Sequence, residues 1–576
     1  MKIIRKLRNI KNKNPWDHYY KRNERTIKVP EMSIYEFLSK CSQDNLTATA
    51  LNYFNSKTSF ETFLSQIDLC AKALKSHGIR ENDVVTICMA NTPEAVISFY
   101  AVNKIGAIAN MLHPLSAEEE IKNSLITTNS VMLIAIDLTY SKVKNIINET
   151  KVYKTVIVSA ADSMTPLLAI GYKLTKGRKV ETPEKSERFM YWADFMNRGR
   201  HYNEEVFVRR GKDDDALILH SGGTTGEPKN IILTNGNINA IIEQARVLFP
   251  NIGNDDSFLA ILPLFHCFGL VVCIHAPLCY GATSVLVPQF DAKRFDKLLT
   301  KYHPTVIAGV PTLFEALTSN AYMHNIDMSY VKYVISGGDS LNVVKNKKVN
   351  DFLKAHNCNT EIMQGYGMTE SSGPVAVGGT YTGANKLGSV GIPLPSNKVK
   401  IVEPTTGIEV DLGEIGEICL AGPVIMKGYL NNEAATNEII EVDEKGVRWV
   451  HTGDLGYMDE DGVIFYVQRL KRMLIVSGYN VYPTHIEETI MSHPDVANCG
   501  VIGVPHPYKV QVPKAFIVLK DGVELDSKVR NSIKEHCKKN LAVYMMPKEF
   551  EFRESLPKTL VGKVNYKELE KEMKQD

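Results

Sequence analysis

Between Leu217 and Lys229 the chain reads LILHSGGTTGEPK. An apolar strand ending at His220 gives way to a loop of small and hydroxyl residues. A second strand resumes at Ile231–Leu233. Gly222, Gly223 and Gly226 carry no Cβ, so backbone N–H groups can approach a phosphate closely. Ser221, Thr224 and Thr225 add hydroxyl donors, and Lys229 adds a mobile positive charge. The set suits a polyphosphate. It is not the GxxxxGK(S/T) loop, because Lys229 is followed by Asn230 and by a strand instead of a helix. The competing reading is a plain flexible turn, which has no need of so many phosphate-binding residue types. A second lysine, Lys563, ends the Gly-containing run Leu556-Pro-Lys-Thr-Leu-Val-Gly-Lys563. Its competing reading is a surface lysine.

The loop SGGTTGEPK resembles the phosphate loop of the AMP-forming acyl-CoA synthetases of the adenylate-forming ligase superfamily. Six further segments follow in the order of that family. They are Gln364-Gly-Tyr-Gly-Met-Thr-Glu370, Gly413–Glu417 through Gly422–Tyr429, His451-Thr-Gly-Asp454, Arg469-Leu-Lys471, Ser477-Gly-Tyr-Asn-Val-Tyr-Pro483 and Leu556–Lys563. Seven motifs in order, across about residues 35–570, are far more specific than any one.

The resemblance implies ATP, Mg2+ and coenzyme A as cofactors and assigns roles residue by residue. Ser221 through Gly226 and Lys229 hold the β- and γ-phosphates. Thr369 and Glu370 lie near the α-phosphate, and Glu370 binds Mg2+, a hard ion that prefers carboxylate oxygen. Gln364, Gly365, Tyr366 and Gly367 form the adenine slot: Tyr366 offers a face to the base, Gln364 bonds its amino group, and Gly338-Asp339 form the edge. Asp454 accepts the ribose hydroxyls and Arg469 contacts the ribose. Lys563 reaches the substrate carboxylate and the α-phosphate, where an anion attacks an anion and positive charge stabilises the transition state. Lys471 is the hinge about which a small domain rotates. Lys563 then leaves and Ser477, Gly478 and Tyr479 arrive to face the pantetheine tunnel.

His266 lies in Leu262-Pro-Leu-Phe-His-Cys-Phe-Gly269. On its residues alone it reads as a hydrogen-bonded core histidine. By resemblance it lines the acyl pocket and gates the thiol route. Relatives that activate amino acids carry an acid near this position. Here Phe265, Cys267 and Phe268 flank His266, which argues against an amino-acid substrate. Departures from the family pattern are Asn230 after the loop lysine, Gly222-Gly223 for Ser-Gly, and Asp339-Ser340 for Ala-Pro. Arg469 to Pro483 is closest in motif to bacterial long-chain fatty acid–CoA ligases. Ile475 stands where the luciferase and coumarate-ligase branch has lysine. Gly478-Tyr479-Asn480 stands where stand-alone fatty acyl-AMP ligases read Gly-Arg-Asn. A medium- or long-chain fatty acid:CoA ligase is the expectation. Loading of a carrier-protein phosphopantetheine, or an aryl acid, stays open, as does a pseudo-enzyme reading, against which Lys563, Glu370, Asp454 and Arg469 speak.

The elements that must position these residues read as α/β. Val84–Cys88, Val131–Ala135, Thr155–Val158, Ser284–Val287, Thr305–Gly309 and Tyr333–Ser336 are short apolar strands separated by helical stretches. Thr58-x-x-Glu61 predicts a capping box for a helix bearing Phe60, Leu64, Ile67, Ala71 and Leu74 and ending at Gly78. With 576 residues the chain exceeds one core. The expected arrangement is a basic segment 1–30, a large domain 31–468 and a small domain 469–576. The large domain has parallel-rich sheets covered by helices plus a β-barrel-like subdomain, and the small one is a mobile α+β unit. Strands are expected at Val463–Val467, Cys499–Val504 and Ala515–Leu519, and a helix near Ser527–Lys539.

A net charge of +2 does not suggest nucleic-acid binding. Ten scattered cysteines without a CxxC pair read as reduced, buried small hydrophobes, which fits a cytoplasmic protein. Ser257 to Phe290 lacks Asp, Glu, Lys and Arg but carries Pro263, Gly269, Pro277 and Gly281. It reads as buried core with a functional loop, not a membrane span. Ile3, Leu7 and Ile10 share a helical face among six basic residues, and Pro166–Val180 mixes apolar and basic residues. Each reads either as peripheral membrane contact or as a frayed tail or solvated loop.

Overall fold

The computed structural model describes residues 14–184, 186–221, 229–476, 479–506, 510–558 and 564–573. Two parallel-rich sheets dominate it. The eight-stranded sheet runs in the order Gly428–Tyr429, Asn230–Thr234, Asp215–His220, Ile108–Leu112, Val84–Cys88, Met132–Ile136, Lys154–Val158, Phe189–Tyr191. Its strands are parallel except for the antiparallel edge made by the first three. The nine-stranded sheet centres on the parallel strands Thr49–Tyr53, Thr283–Leu286, Ser257–Ala260, Val306–Gly309, Tyr333–Ser336 and Ile362–Met368. Antiparallel strands close both of its edges. The uninterrupted apolar runs of these strands are what sheets covered on both faces require.

The six strands expected from Val84–Cys88 to Tyr333–Ser336 all form, with ends shifted by a residue at most, and the three expected later form with longer bounds, as Ile464–Arg469, Val496–His506 and Val510–Leu519. The helix Phe60–Ser76 buries Phe60, Phe63, Ile67, Ala71 and Leu74. Its cap is Ser59, whose hydroxyl accepts from Thr62 N, and not the expected Thr58. Thr58 and Ser59 both lie on the strand Ser56–Ser59, paired with Leu51 and Thr49, and Ser59 is the last strand residue, next to the helix start at Phe60, so the cap falls one residue later than expected. Gly78 follows the helix with φ +82°.

A third, wholly antiparallel sheet of Lys398–Val402, Gly416–Ala421, Arg448–Met458, Ile440–Val442 and Ile464–Arg469 corresponds to the barrel-like subdomain. The fourth sheet joins Tyr479–Val481, Leu474–Val476, Val510–Leu519, Val496–His506 and Glu549–Phe552. It carries the helices Pro483–Met491, Ser527–Asn540 and Tyr566–Glu572 and has its own core of Val476, Ile486, Ile490, Ala515 and Ile533. Nine of the ten cysteines are buried and Cys41 is half-buried.

The chargeless stretch resolves into the strand Ser257–Ala260, a π-helical turn Phe268–His275, the short helix Ala276–Cys279 and the strand Thr283–Leu286. Among the described residues no helix is long and apolar enough to cross a membrane. The apolar stripe Ile3/Leu7/Ile10 and its basic neighbours lie outside the described residues.

Candidate active site

The phosphate-loop segment is framed by an antiparallel pair, Asp215–His220 with Asn230–Thr234. Ser221 N donates to Lys229 O (3.0 Å), and Lys229 N donates to Ser221 Oγ (3.0 Å), so both ends of the loop are pinned. Gly222, Gly223, Thr224, Thr225 and Gly226 lie outside the described residues. At the end of the strand that leads into the loop, His220 joins a buried polar cluster. His220 Nε2 is 2.8 Å from Asn110 Oδ1, and Asn110 Nδ2 donates to Thr86 Oγ1 at 2.8 Å. Burial pushes the His220 imidazole down to about 4, so it is neutral and its Nε2–H donates to Asn110.

Lys229 Nζ lies over the Tyr429 ring, 4.7 Å from its centroid. Tyr429 sits on the edge strand of the eight-stranded sheet, paired with Ile231. Its hydroxyl crosses to the nine-stranded sheet and donates to Glu370 Oε1 at 2.9 Å. Burial, then the Glu370 carboxylate, raises the Tyr429 phenol far above its ordinary value, so it stays a donor. Glu370 is itself buried, in the short turn Thr369–Ser371 that follows the strand Ile362–Met368. The buried Cys267 thiol lies against Thr369. Burial pushes it up to about 11 against the Thr369 hydrogen bond.

Tyr366, on the same strand, is buried, and its hydroxyl donates to Asp454 Oδ2 at 2.8 Å. Asp454 and Arg469 stand directly opposite in the antiparallel pair of Arg448–Met458 with Ile464–Arg469. Arg469 Nε lies 3.0 Å from Asp454 Oδ1, and Arg469 Nη1 donates to Thr452 O at 3.3 Å. The approach to Asp454 is also fixed from below: Gly453 N donates to Glu417 Oε1 (2.8 Å), and His451 Nδ1 meets Glu417 Oε2 at 2.9 Å.

Gly338 takes φ +78°, a left-handed conformation suited to glycine, and exposes its backbone beside the exposed Asp339. Asp339 Oδ1 accepts from Ser340 N at 2.9 Å. Gln364 differs from its expected role. Its Oε1 accepts from Leu341 N (3.1 Å) and its Nε2 donates to Ser389 O (3.1 Å), so in this structure the amide ties two backbones together instead of presenting a free edge. Gly365 and Gly367 flank Tyr366, with a register shift between Tyr366 and Gly367.

His266 closes a turn in which its N–H donates to Pro263 O (3.1 Å) and its carbonyl accepts from Leu270 N (2.9 Å). Asn91 holds the approach to this turn: Nδ2 donates to Ala260 O and Leu262 O, and Oδ1 accepts from Leu264 N, all at 2.9 Å. The His266 ring is 4.9 Å from Phe265, which lies 4.2 Å from the His113 ring. A Cβ on Gly269 would come within 2.2 Å of Pro263 O, so only glycine lets the π-helical turn start this close to the loop.

Lys471 is exposed in the turn Leu470–Arg472, between the strands Ile464–Arg469 and Leu474–Val476. Arg472 anchors the far side through Glu487 (2.6 Å) and the Tyr566 ring. Ser477, Gly478 and Lys563 lie outside the described residues. Tyr479 begins the strand Tyr479–Val481 that pairs with Leu474–Val476.

The structure therefore forms two contact chains, Lys229–Tyr429–Glu370 and Tyr366–Asp454–Arg469, joined by the segment Ile362–Ser371 that carries Tyr366, Thr369 and Glu370, and together they span three sheets. Tyr429, Thr452 and Cys267 lie in quoted segments without an assigned role, and Asn110 lies in none. Tyr429 ends a quoted segment, but nothing in its spacing shows that it reaches Glu370.

The model of the AMP-binding enzyme family matches residues 38–430, and that of its C-terminal domain matches residues 485–563. The chain belongs to the AMP-binding enzyme family. It is 30% identical to a long-chain-fatty-acid–CoA ligase of Bacillus subtilis, over 96% of this chain and 97% of that one. It is 29% identical to 4-coumarate–CoA ligase 1 of Arabidopsis thaliana, over 97% and 96%. Among solved structures, ATP-bound MatB of Rhodopseudomonas palustris superposes with TM-score 0.81 at 23% identity, covering 95% of this chain and 99% of that chain; this shows the fold. The o-succinylbenzoate CoA synthetase of Bacillus subtilis with its acyl-adenylate gives 0.73 at 25%, over 94% and 98%. The chain is an AMP-forming acid–CoA ligase that draws on ATP, Mg2+ and coenzyme A.

Proposed function

We propose that this ligase activates a medium- or long-chain fatty acid. The acid's carboxylate attacks the α-phosphate of ATP, pyrophosphate leaves, and the thiol of CoA then displaces AMP from the acyl carbon. The observation that carries the catalytic assignment is the contact chain from Lys229 through Tyr429 to Glu370, and from Tyr366 to Asp454 and Arg469.

Each residue has a task in this reading. Lys229, with Ser221 and the loop Gly222–Gly226, takes the β- and γ-phosphates. Glu370 fits a hard cation: it is a buried carboxylate oriented by Tyr429 through one oxygen, leaving further lone pairs for a ligand. Mg2+ held there would neutralise charge on the phosphates. Thr369 stands next to the α-phosphate. Tyr366 and Gly338-Asp339 flank the base, with Gln364 bracing the strand ends of the slot. Asp454, which accepts from Tyr366 on Oδ2 and pairs with Arg469 through Oδ1, takes the ribose hydroxyls. Lys563 stabilises the charge that develops between carboxylate and α-phosphate. The domains divide as 1–30, 31–468 and 469–576, with Lys471 as hinge. Rotation there exchanges Lys563 for Ser477, Gly478 and Tyr479.

Two features support an apolar acid. The segment carrying His266 has no charged side chain from Ser257 to Phe290, and three of the relatives found at 30–31% identity are long-chain-fatty-acid–CoA ligases. The similarity to 4-coumarate ligases favours a second reading, an aryl acid. A panel of saturated fatty acids and hydroxycinnamic acids, assayed for AMP release with free CoA, separates them. A higher kcat/KM for any cinnamic acid than for every fatty acid would overturn the fatty-acid reading. Thioester formation on a carrier protein but not on free CoA would overturn the acceptor.

A further inference from the structure

A surface helix ordinarily turns its apolar stripe toward the core. The helix Pro166–Leu174 does the reverse. None of its residues is buried. Leu167 is 81% exposed, Leu168 42%, Ile170 57% and Leu174 61%. Leu167, Ile170 and Leu174 recur at helical spacing and form one outward stripe. The helix is held from its other side, where half-buried Tyr172 packs against the main core. So many large apolar side chains facing solvent within nine residues mark an interaction surface.

The flanking charge indicates what covers it. Lys173 is exposed within the helix, and Arg178 is exposed in the turn Lys176–Lys179 that follows. Of the nearby acids, Asp162 faces Lys173 and Glu181 is paired with Lys144. An apolar stripe beside exposed cations matches the boundary between acyl chains and anionic headgroups. At nine residues the helix is about 14 Å long, so it lies in such a surface and does not span it.

Its place in the fold matters. The helix follows the strand Lys154–Val158, which is parallel, through Met132–Ile136, Val84–Cys88 and Ile108–Leu112, to Asp215–His220. Helix and phosphate loop therefore leave the same end of the eight-stranded sheet.

We infer that the helix Pro166–Leu174 is a lipid-docking element. It lays the Leu167–Ile170–Leu174 stripe into an anionic bilayer surface with Lys173 and Arg178 at headgroup level. The inference does not depend on which acid is activated.

The test uses the full chain and vesicles of phosphatidylcholine with and without phosphatidylglycerol. Wild type should bind phosphatidylglycerol vesicles, and Leu167→Glu/Ile170→Glu should weaken that binding about tenfold or more. Lys173→Glu/Arg178→Glu should abolish the preference for phosphatidylglycerol. Leu167→Trp should show a blue-shifted emission with vesicles and quenching by brominated acyl chains. Unchanged melting temperature and unchanged adenylation of a water-soluble acid by Leu167→Glu/Ile170→Glu establish that the variant is folded. Equal vesicle binding by wild type and this variant would overturn the inference. So would binding lost only on deleting residues 1–13. A variant that dissociates a dimer without altering vesicle binding would assign the stripe to a second copy instead, which also overturns it.

Discussion

At the residue scale the site is a set of charges held by phenols. Tyr429→Phe removes the donor to Glu370 Oε1 without emptying the space. It should raise the Mg2+ concentration for half-maximal adenylation about tenfold, as for other groups that orient a metal ligand. Glu370→Gln removes the anionic ligand itself and should raise it further. Melting temperatures should change little, and an identical Mg2+ titration in all three proteins would refute the assignment. The order of motifs in the chain was enough to single out Glu370, Asp454 and Arg469. It did not reveal Tyr429 as a partner of Glu370, because that contact joins strands of different sheets. Nor did it reveal that Gln364 is engaged by Leu341 N and Ser389 O, since backbone partners leave no trace in side-chain spacing.

At the element scale, the helix Pro93–Lys104 begins with a buried carboxylate. Burial pushes Glu94 up from 4.5 to about 7, against a hydrogen bond from Ser163. The folded state thus binds this proton more tightly than the unfolded chain does. Its contribution to stability is present below pH 4.5 and is lost as pH rises through about 7. Glu94→Gln should flatten that decline and stabilise the protein at pH 8 by up to about 3 kcal/mol. Denaturant melts from pH 4.5 to 8 measure this, and parallel profiles for the two proteins would count against it. The turn Leu470–Arg472 gives a second prediction. Proline fixes φ near −65° and removes an N–H. Lys471→Pro should therefore hold one orientation of the small domain. If that is the adenylating one, ATP–pyrophosphate exchange survives while acyl-CoA formation collapses. Equal effects on both half-reactions would mean the domains turn about another residue. Strands were well legible because continuous apolar runs of Val and Ile leave few alternatives. The Ser59 cap was missed because Thr58 and Ser59 are adjacent hydroxyl residues, and spacing alone does not show that the strand runs through Ser59 and the helix starts at Phe60.

For the whole molecule, the account requires one site to perform two reactions in turn. Lys563→Ala should lower pyrophosphate release by the equivalent of about 3–4 kcal/mol, while a supplied acyl-adenylate is still converted to thioester. Matching losses in both steps would make this lysine a structural residue. The division into sheets was legible from alternating strands and helices. Pro166–Val180 was legible as a mixed apolar and basic segment open to membrane contact, but not that Leu167, Ile170 and Leu174 face outward, because composition alone cannot distinguish an inward from an outward face. The most direct test of the central claim follows a labelled atom. With the acid's carboxylate enriched in oxygen-18, attack on the α-phosphate transfers a labelled oxygen to AMP. The account predicts label in AMP, none in pyrophosphate, and AMP formation dependent on the acid. Label in orthophosphate with ADP as product would contradict it, because the acid would then have been activated as an acyl phosphate.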